Sequence, residues 1–79
     1  MKKILITGGS GFIGTSLLKI LLKNNYKIHC LDLKKPNITD KKLNFFKGSV
    51  CDKKILNKSI IGCQIVIHLA AKIGVKLTD

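Results

Sequence analysis

At 79 residues the chain can form at most one small domain, and a core of that size is marginal. Its formal net charge of +11 comes from fifteen lysines against four aspartates, with no arginine and no glutamate. The lysines are scattered and the aromatics are three Phe and one Tyr, so the charge reads as a solvated surface that can help attract an anionic ligand, not as a nucleic-acid face.

Residues 3–7 form a short apolar run, expected as a first buried strand. It opens directly into Gly8-Gly9-Ser10-Gly11-Phe12-Ile13-Gly14. From about residue 12 to residue 24, Ile13, Leu17, Ile20 and Leu21 recur at i, i+4, i+7 and i+8, one face of a helix. Leu18 and Leu22 widen that face, as packing on a sheet requires, and Asn24-Asn25 ends the helix. Residues 27–33 read as a second strand. Residues 34–42, containing Pro36, read as a loop with room for a short helical turn. Residues 43–47 give a third strand, closed by Gly48. Residues 52–61 read as a helix with Ile55, Leu56, Ser59 and Ile60 inward and Gly62 just past its C-terminus. Residues 64–69 form a continuous apolar run, as expected of a parallel strand buried on both faces.

Strands alternating with helices predict an α/β fold with a parallel sheet, and right-handed crossovers place its strands in the order three-two-one-four. The fourth strand is then an unpaired edge. A doubly wound nucleotide-binding domain needs roughly twice this much chain. The sequence is therefore expected to be the N-terminal half of a Rossmann-type domain, with residues 1–79 a partial dinucleotide-binding unit and the rest of the domain and the substrate-binding region absent.

A strand, a glycine turn and a helix together place a helix N-terminus against a dinucleotide pyrophosphate. Each glycine has its own task there. Gly8 lets the chain turn sharply, Gly11 lets main-chain N–H groups approach the phosphates, and Gly14 lets the helix lie close on the strand. Asp32, eighteen residues past Gly14, ends the second strand. A carboxylate there accepts from the adenosine ribose hydroxyls and repels a 2′-phosphate. Lys34 and Lys35 offset part of that repulsion, and NAD is expected over NADP. The plainer reading of Asp32 is a strand-end aspartate in a turn. For Asp52, the plainer reading is a helix N-cap.

Thr7-Gly8-Gly9-Ser10-Gly11-Phe12-Ile13-Gly14 resembles the T-G-x-x-G-x-x-G pattern of extended short-chain dehydrogenases/reductases, the NAD-dependent epimerase/dehydratase group. The single-domain branch of that superfamily needs glycine where Phe12 stands. Gly48-Ser49-Val50-Cys51-Asp52 resembles the family's G-D-[IV]-x-D, with Ser49 replacing its first acid. His68-Leu69-Ala70-Ala71 resembles the family's H-x-A-A. The resemblance implies cofactor contacts at Gly8, Gly11, Phe12, Ile13, Gly14, Asp32, Val50, Asp52, Leu69, Ala70 and Ala71. Asp52 would accept from the adenine amino group, and Ala70 and Ala71 would form a small-residue floor. It also implies a nucleotide-sugar substrate, reaction by transient oxidation with bound NAD, and a homodimer, all for a complete protein. The family's catalytic Tyr-x-x-x-Lys has no counterpart in these residues. Tyr26 is the single tyrosine, and Cys30 stands four positions on. No catalytic residue is assigned here. A dinucleotide-binding regulator of the same fold and a basic nucleic-acid-binding module are the rival readings.

Cys30, Cys51 and Cys63 are isolated, without C-x-x-C spacing, so neither a disulfide framework nor a metal site is expected. The first apolar run breaks after four residues into glycine, and the next is interrupted by Lys19. A signal peptide and a membrane span are therefore not expected, and a cytoplasmic protein is.

Overall fold

A computed structural model describes residues 2–69. The elements are β1 (Lys3–Thr7), α1 (Phe12–Lys23), β2 (Lys27–Asp32), β3 (Leu43–Lys47), α2 (Lys53–Ile60) and β4 (Ile65–His68). The four strands form one parallel sheet in the order β3-β2-β1-β4, the order that right-handed crossovers predict. β1 lies in the interior, with Ile6 opposite Cys30 of β2 on one side and Ile67 of β4 on the other.

Alternation along the strands separates two faces. On one, Ile4, Ile6 and Ile28 pack with Leu18 and Leu22 of α1 into the main core. The expected inward face of α1 was centred on Ile13, Leu17, Ile20 and Leu21. Instead the buried line is Gly14, Leu18 and Leu22, with Leu17 and Leu21 flanking it half-buried. Ile13 is 69% exposed and Ile20 57% exposed. The cause is Gly14, where a missing side chain permits the closest approach, so the contact line runs through it along i, i+4 and i+8. Asn24 closes the helix, its side-chain amide donating to the Ile20 carbonyl at 2.8 Å. Asn25, at φ +65°, then turns the chain into β2.

The opposite face carries α2. Leu5, His29 and Leu31 are buried on the sheet, and Ser59 is the fully buried residue of the helix. His29 Nδ1 lies 2.6 Å from the Ser59 carbonyl oxygen, and its ring meets Phe46 at a centroid distance of 4.9 Å. Ile55 and Leu56 are half-buried, as expected of inward positions, whereas Ile60 is exposed at the helix end. Gly62, at φ +78°, follows the helix.

β4 departs from the reading of a strand buried on both faces. Ile65 is 38% exposed and Val66 50% exposed, because β4 is the sheet edge among the described residues. None of the described helices is long and apolar enough to cross a membrane.

Candidate functional site

The sheet reverses its order at β1. The chain leaves β1 towards β2 and β3, then returns to β4 on the other side. Such a switch point opens a crevice at the carboxyl ends of the strands. Here the ends of β1 and β4 are tied by the Leu69 N–H donating to the Thr7 carbonyl at 2.8 Å and by Thr7 Oγ1 lying 2.6 Å from His68 Nδ1. From this end of β1 the chain enters the glycine loop.

Gly8 takes φ +80°, the left-handed conformation that glycine adopts without cost, and its N–H donates to the Leu31 carbonyl at 3.0 Å. A Cβ on Gly14 would stand 2.5 Å from the Gly8 oxygen and 2.7 Å from the Gly9 Cα, so the helix start lies directly against the loop backbone. The close neighbour of Gly14 is thus the loop that leaves β1, not the strand that the glycine spacing predicts. Gly9 is required as well, since a Cβ there would meet Cys30 Sγ at 2.7 Å. Gly11 differs from these three. It is exposed, its φ is an ordinary −73°, and its nearest neighbour to an added Cβ is the Gly8 oxygen at 3.8 Å. Gly11 is also the N-cap of α1, with no side-chain cap and no acidic residue in the first turn. The partial positive charge of that helix end is left to the space above it.

Two hollows meet at Gly8. One, about 330 Å³, is lined by Gly8, Gly11, Phe12, Ile13, Gly14 and Leu69. The other, about 230 Å³, is lined by Gly8, Leu31, Asp32, Leu33, Gly48, Ser49 and Val50. Eight of the residues named from the sequence thus line two hollows that share Gly8 and are together termed the groove. Asp52 lines neither hollow. Its Oδ1 accepts from the Lys54 N–H at 3.0 Å, the N-cap geometry of the plainer reading. Ala70 and Ala71 lie outside the described residues.

Asp32 is bonded more extensively than its sequence position suggests. Its Oδ2 accepts from the Ser10 N–H at 3.0 Å, and its Oδ1 from the N–H groups of Leu33 at 2.6 Å and Lys34 at 3.3 Å. Burial pushes the carboxyl pKa up. The bonds from the Ser10, Lys34 and Leu33 main chain outweigh it, so the carboxyl stays below its ordinary range. The Ser10 hydroxyl also donates to the Lys34 carbonyl. Beneath the loop, burial and the charge of Asp32 push the Cys30 thiol up to about 11, against a bond from Gly9. This is an inert, neutral thiol. No cluster of three or more His, Cys, Asp or Glu able to hold a metal occurs among the described residues.

Sequence reasoning did not single out Ser10, Leu31, Leu33 or Ser49 for the groove. Ser49 was marked only as a departure from a motif, and its hydroxyl accepts from the Cys51 N–H at 3.0 Å. The link from residue 10 to residues 32–34 spans more than twenty positions and leaves no local pattern to read.

Comparison with known proteins identifies the family. The model of the NAD dependent epimerase/dehydratase family matches residues 4–79. The sterol-4-alpha-carboxylate 3-dehydrogenase, decarboxylating, of Dictyostelium discoideum is 37% identical over 78 residues, 92% of this chain and 23% of that protein. The UDP-glucose 4-epimerase of Neisseria meningitidis serogroup B is 35% identical over 82 residues, 89% of this chain and 24% of that protein. Among solved structures, dTDP-glucose 4,6-dehydratase from Bacillus anthracis, in complex with NAD, superposes with a TM-score of 0.80 at 28% identity, over 91% of this chain and 27% of that one. The chain spans about a quarter of the length of each of these proteins.

Proposed function

The chain belongs to the NAD dependent epimerase/dehydratase family, and from that premise we propose that its glycine loop holds the pyrophosphate of a nicotinamide dinucleotide, NAD in preference to NADP. The complete protein is proposed to act on a nucleotide-activated sugar, as an epimerase or dehydratase that works by transient oxidation. Gly11 carries this reading. Internal packing gives no reason for glycine at that position, whereas the close approach of phosphate oxygens to an uncapped helix end does.

The remaining roles follow the groove. Gly8, Gly11, Phe12, Ile13 and Gly14 would supply the main-chain cradle, with Leu69, Ala70 and Ala71 forming the floor beside it. Asp32 would accept from the ribose hydroxyls through Oδ2, the oxygen that takes only one of its three main-chain donors. Val50, with Leu31 and Leu33, would wall the adenosine end. Asp52 is proposed to reach the adenine amino group from its place at the head of α2, while it continues to cap that helix. When bound, the dinucleotide would supply hydride acceptance; these residues bind and orient it.

The similar dTDP-glucose 4,6-dehydratase, in complex with NAD, supports the cofactor, and its name with that of the UDP-glucose 4-epimerase supports the substrate class. Calorimetric titration with NAD tests the reading. The wild-type protein is expected to bind and Gly11→Val to lose binding; equal affinity in the two would remove the loop from the site. Turnover of a nucleotide sugar by the complete protein then separates an enzyme from a dinucleotide-binding regulator.

A further inference from the structure

We propose that Ser10 is the positioning residue that sets which dinucleotide the groove prefers, by clamping the turn after β2 to the glycine loop. The inference rests on the dinucleotide reading above. Two bonds from this one residue reach across the crevice mouth. The Ser10 N–H donates to Asp32 Oδ2 at 3.0 Å, and the Ser10 hydroxyl donates to the Lys34 carbonyl. The N–H groups of Leu33 and Lys34 return to Asp32 Oδ1. Residues 32–34 are therefore fastened at both ends, once through the carboxylate and once through the Lys34 carbonyl.

The consequence is electrostatic. A ribose 2′-phosphate brought beside Asp32 adds negative charge next to a carboxylate, and it is rejected unless a cation accompanies it. The cations nearest in sequence are Lys34 and Lys35, both exposed. While the Lys34 carbonyl is held, only side-chain rotation can bring its ammonium towards a phosphate. Once that bond is gone, the turn itself can shift and carry both lysines with it. Ser10 is the one residue between Gly8 and Gly11 that has a side chain, so this control cannot come from its neighbours. It acts through residues 32–34, because its hydroxyl is already committed to the Lys34 carbonyl.

Ser10→Ala separates the two bonds, since it keeps the main-chain donor to Asp32 and removes the hydroxyl. Calorimetry with NAD and with NADP gives the ratio of the two affinities. Ser10→Ala is expected to lower the preference for NAD about fivefold, the scale of one net hydrogen bond. Ser10→Thr, which keeps a hydroxyl, should retain the wild-type ratio. In the Ser10→Ala background, Lys34→Ala with Lys35→Ala should restore the preference, because the cations that accept the 2′-phosphate are then gone. An unchanged ratio in Ser10→Ala, or an equal loss for both dinucleotides, would overturn the inference and leave the cofactor reading standing. A wild-type protein that binds neither dinucleotide would overturn both. Should the alanine variant not melt cooperatively, Ser10→Cys carries the same test with a weak donor of similar size.

Discussion

Gly11 and Gly14 lie three residues apart at the head of one helix, and a side chain should have opposite consequences at the two positions. At Gly14 a Cβ would meet the Gly8 oxygen at 2.5 Å, the Gly9 Cα at 2.7 Å and the Gly9 carbonyl carbon at 2.8 Å. All three are main-chain atoms and cannot swing aside, so α1 must move off the loop. Overpacking of this kind costs about 1–3 kcal/mol, and a contact this close belongs near the upper end. Replacing glycine by alanine in a helix returns up to about 1 kcal/mol of backbone entropy. Gly14→Ala should therefore destabilise by a net amount of about 1–2 kcal/mol, and each kcal/mol lowers Tm by roughly 4–8 °C in a domain of this size. Gly11→Ser meets no such obstacle. Its φ of −73° suits any residue, and serine at an N-cap is at least as good as glycine, so stability should hold or rise by a few tenths of a kcal/mol. Urea denaturation followed by circular dichroism measures both. A Gly14→Ala protein as stable as wild type would refute the close loop-to-helix packing, and a Gly11→Ser protein destabilised as much as Gly14→Ala would refute the claim that the space above Gly11 is free.

Three further outcomes are expected. The Asp32 carboxyl has a folded pKa below its unfolded value, so its contribution is present above about pH 4 and is lost as pH falls through the folded pKa. The Tm advantage of wild type over Asp32→Asn should accordingly close in acid, and a gap of constant size down to pH 3 would count against the sign. Asp52→Ala removes the acceptor for the Lys54 N–H and should cost about 1 kcal/mol, read as a shifted urea midpoint at unchanged slope. With its thiol pushed up to about 11 by burial and by Asp32, Cys30 should resist iodoacetamide at pH 8 while exposed Cys51 is alkylated. Peptide mass spectrometry showing Cys30 modified as fast as Cys51 would contradict that.

Local pattern carried much of the architecture and failed where contacts are long-range. β1 and β3 run over the expected residues, and α1 begins at Phe12, because alternation between strand and helix periods is a local property. The orientation of α1 was not legible. Seven apolar residues cover more than half of its circumference, and glycine carries no hydrophobic signal, yet the closest contact passes through Gly14. Ile65 and Val66 look like core residues in the sequence because apolarity reports what a surface needs, not whether a neighbour covers it. In the site, the glycines and Asp32 were legible from spacing. The bonds that fix Asp32 were not, since three main-chain N–H groups have no residue-type signature.

Three of the four loop glycines have their reasons inside the chain. Gly8 needs its positive φ, Gly9 must clear Cys30 and Gly14 must clear the loop backbone. These constraints build a loop packed against the start of α1, with the uncapped helix end at Gly11. Gly11 is what remains after that accounting, a glycine at an exposed N-cap where serine or aspartate would stabilise the helix better. A carboxylate cap there would neutralise the helix end and fill the space in front of it. The chain forgoes that local stabilisation at the one point where a phosphate group would supply the missing negative charge. The same logic separates the two aspartates. Asp52 caps α2 and lines neither hollow, whereas Asp32 stands at the groove, held in part by the Ser10 N–H of the glycine loop. Loop and carboxylate are thus one unit, and a substitution that displaces either should be read out at the other.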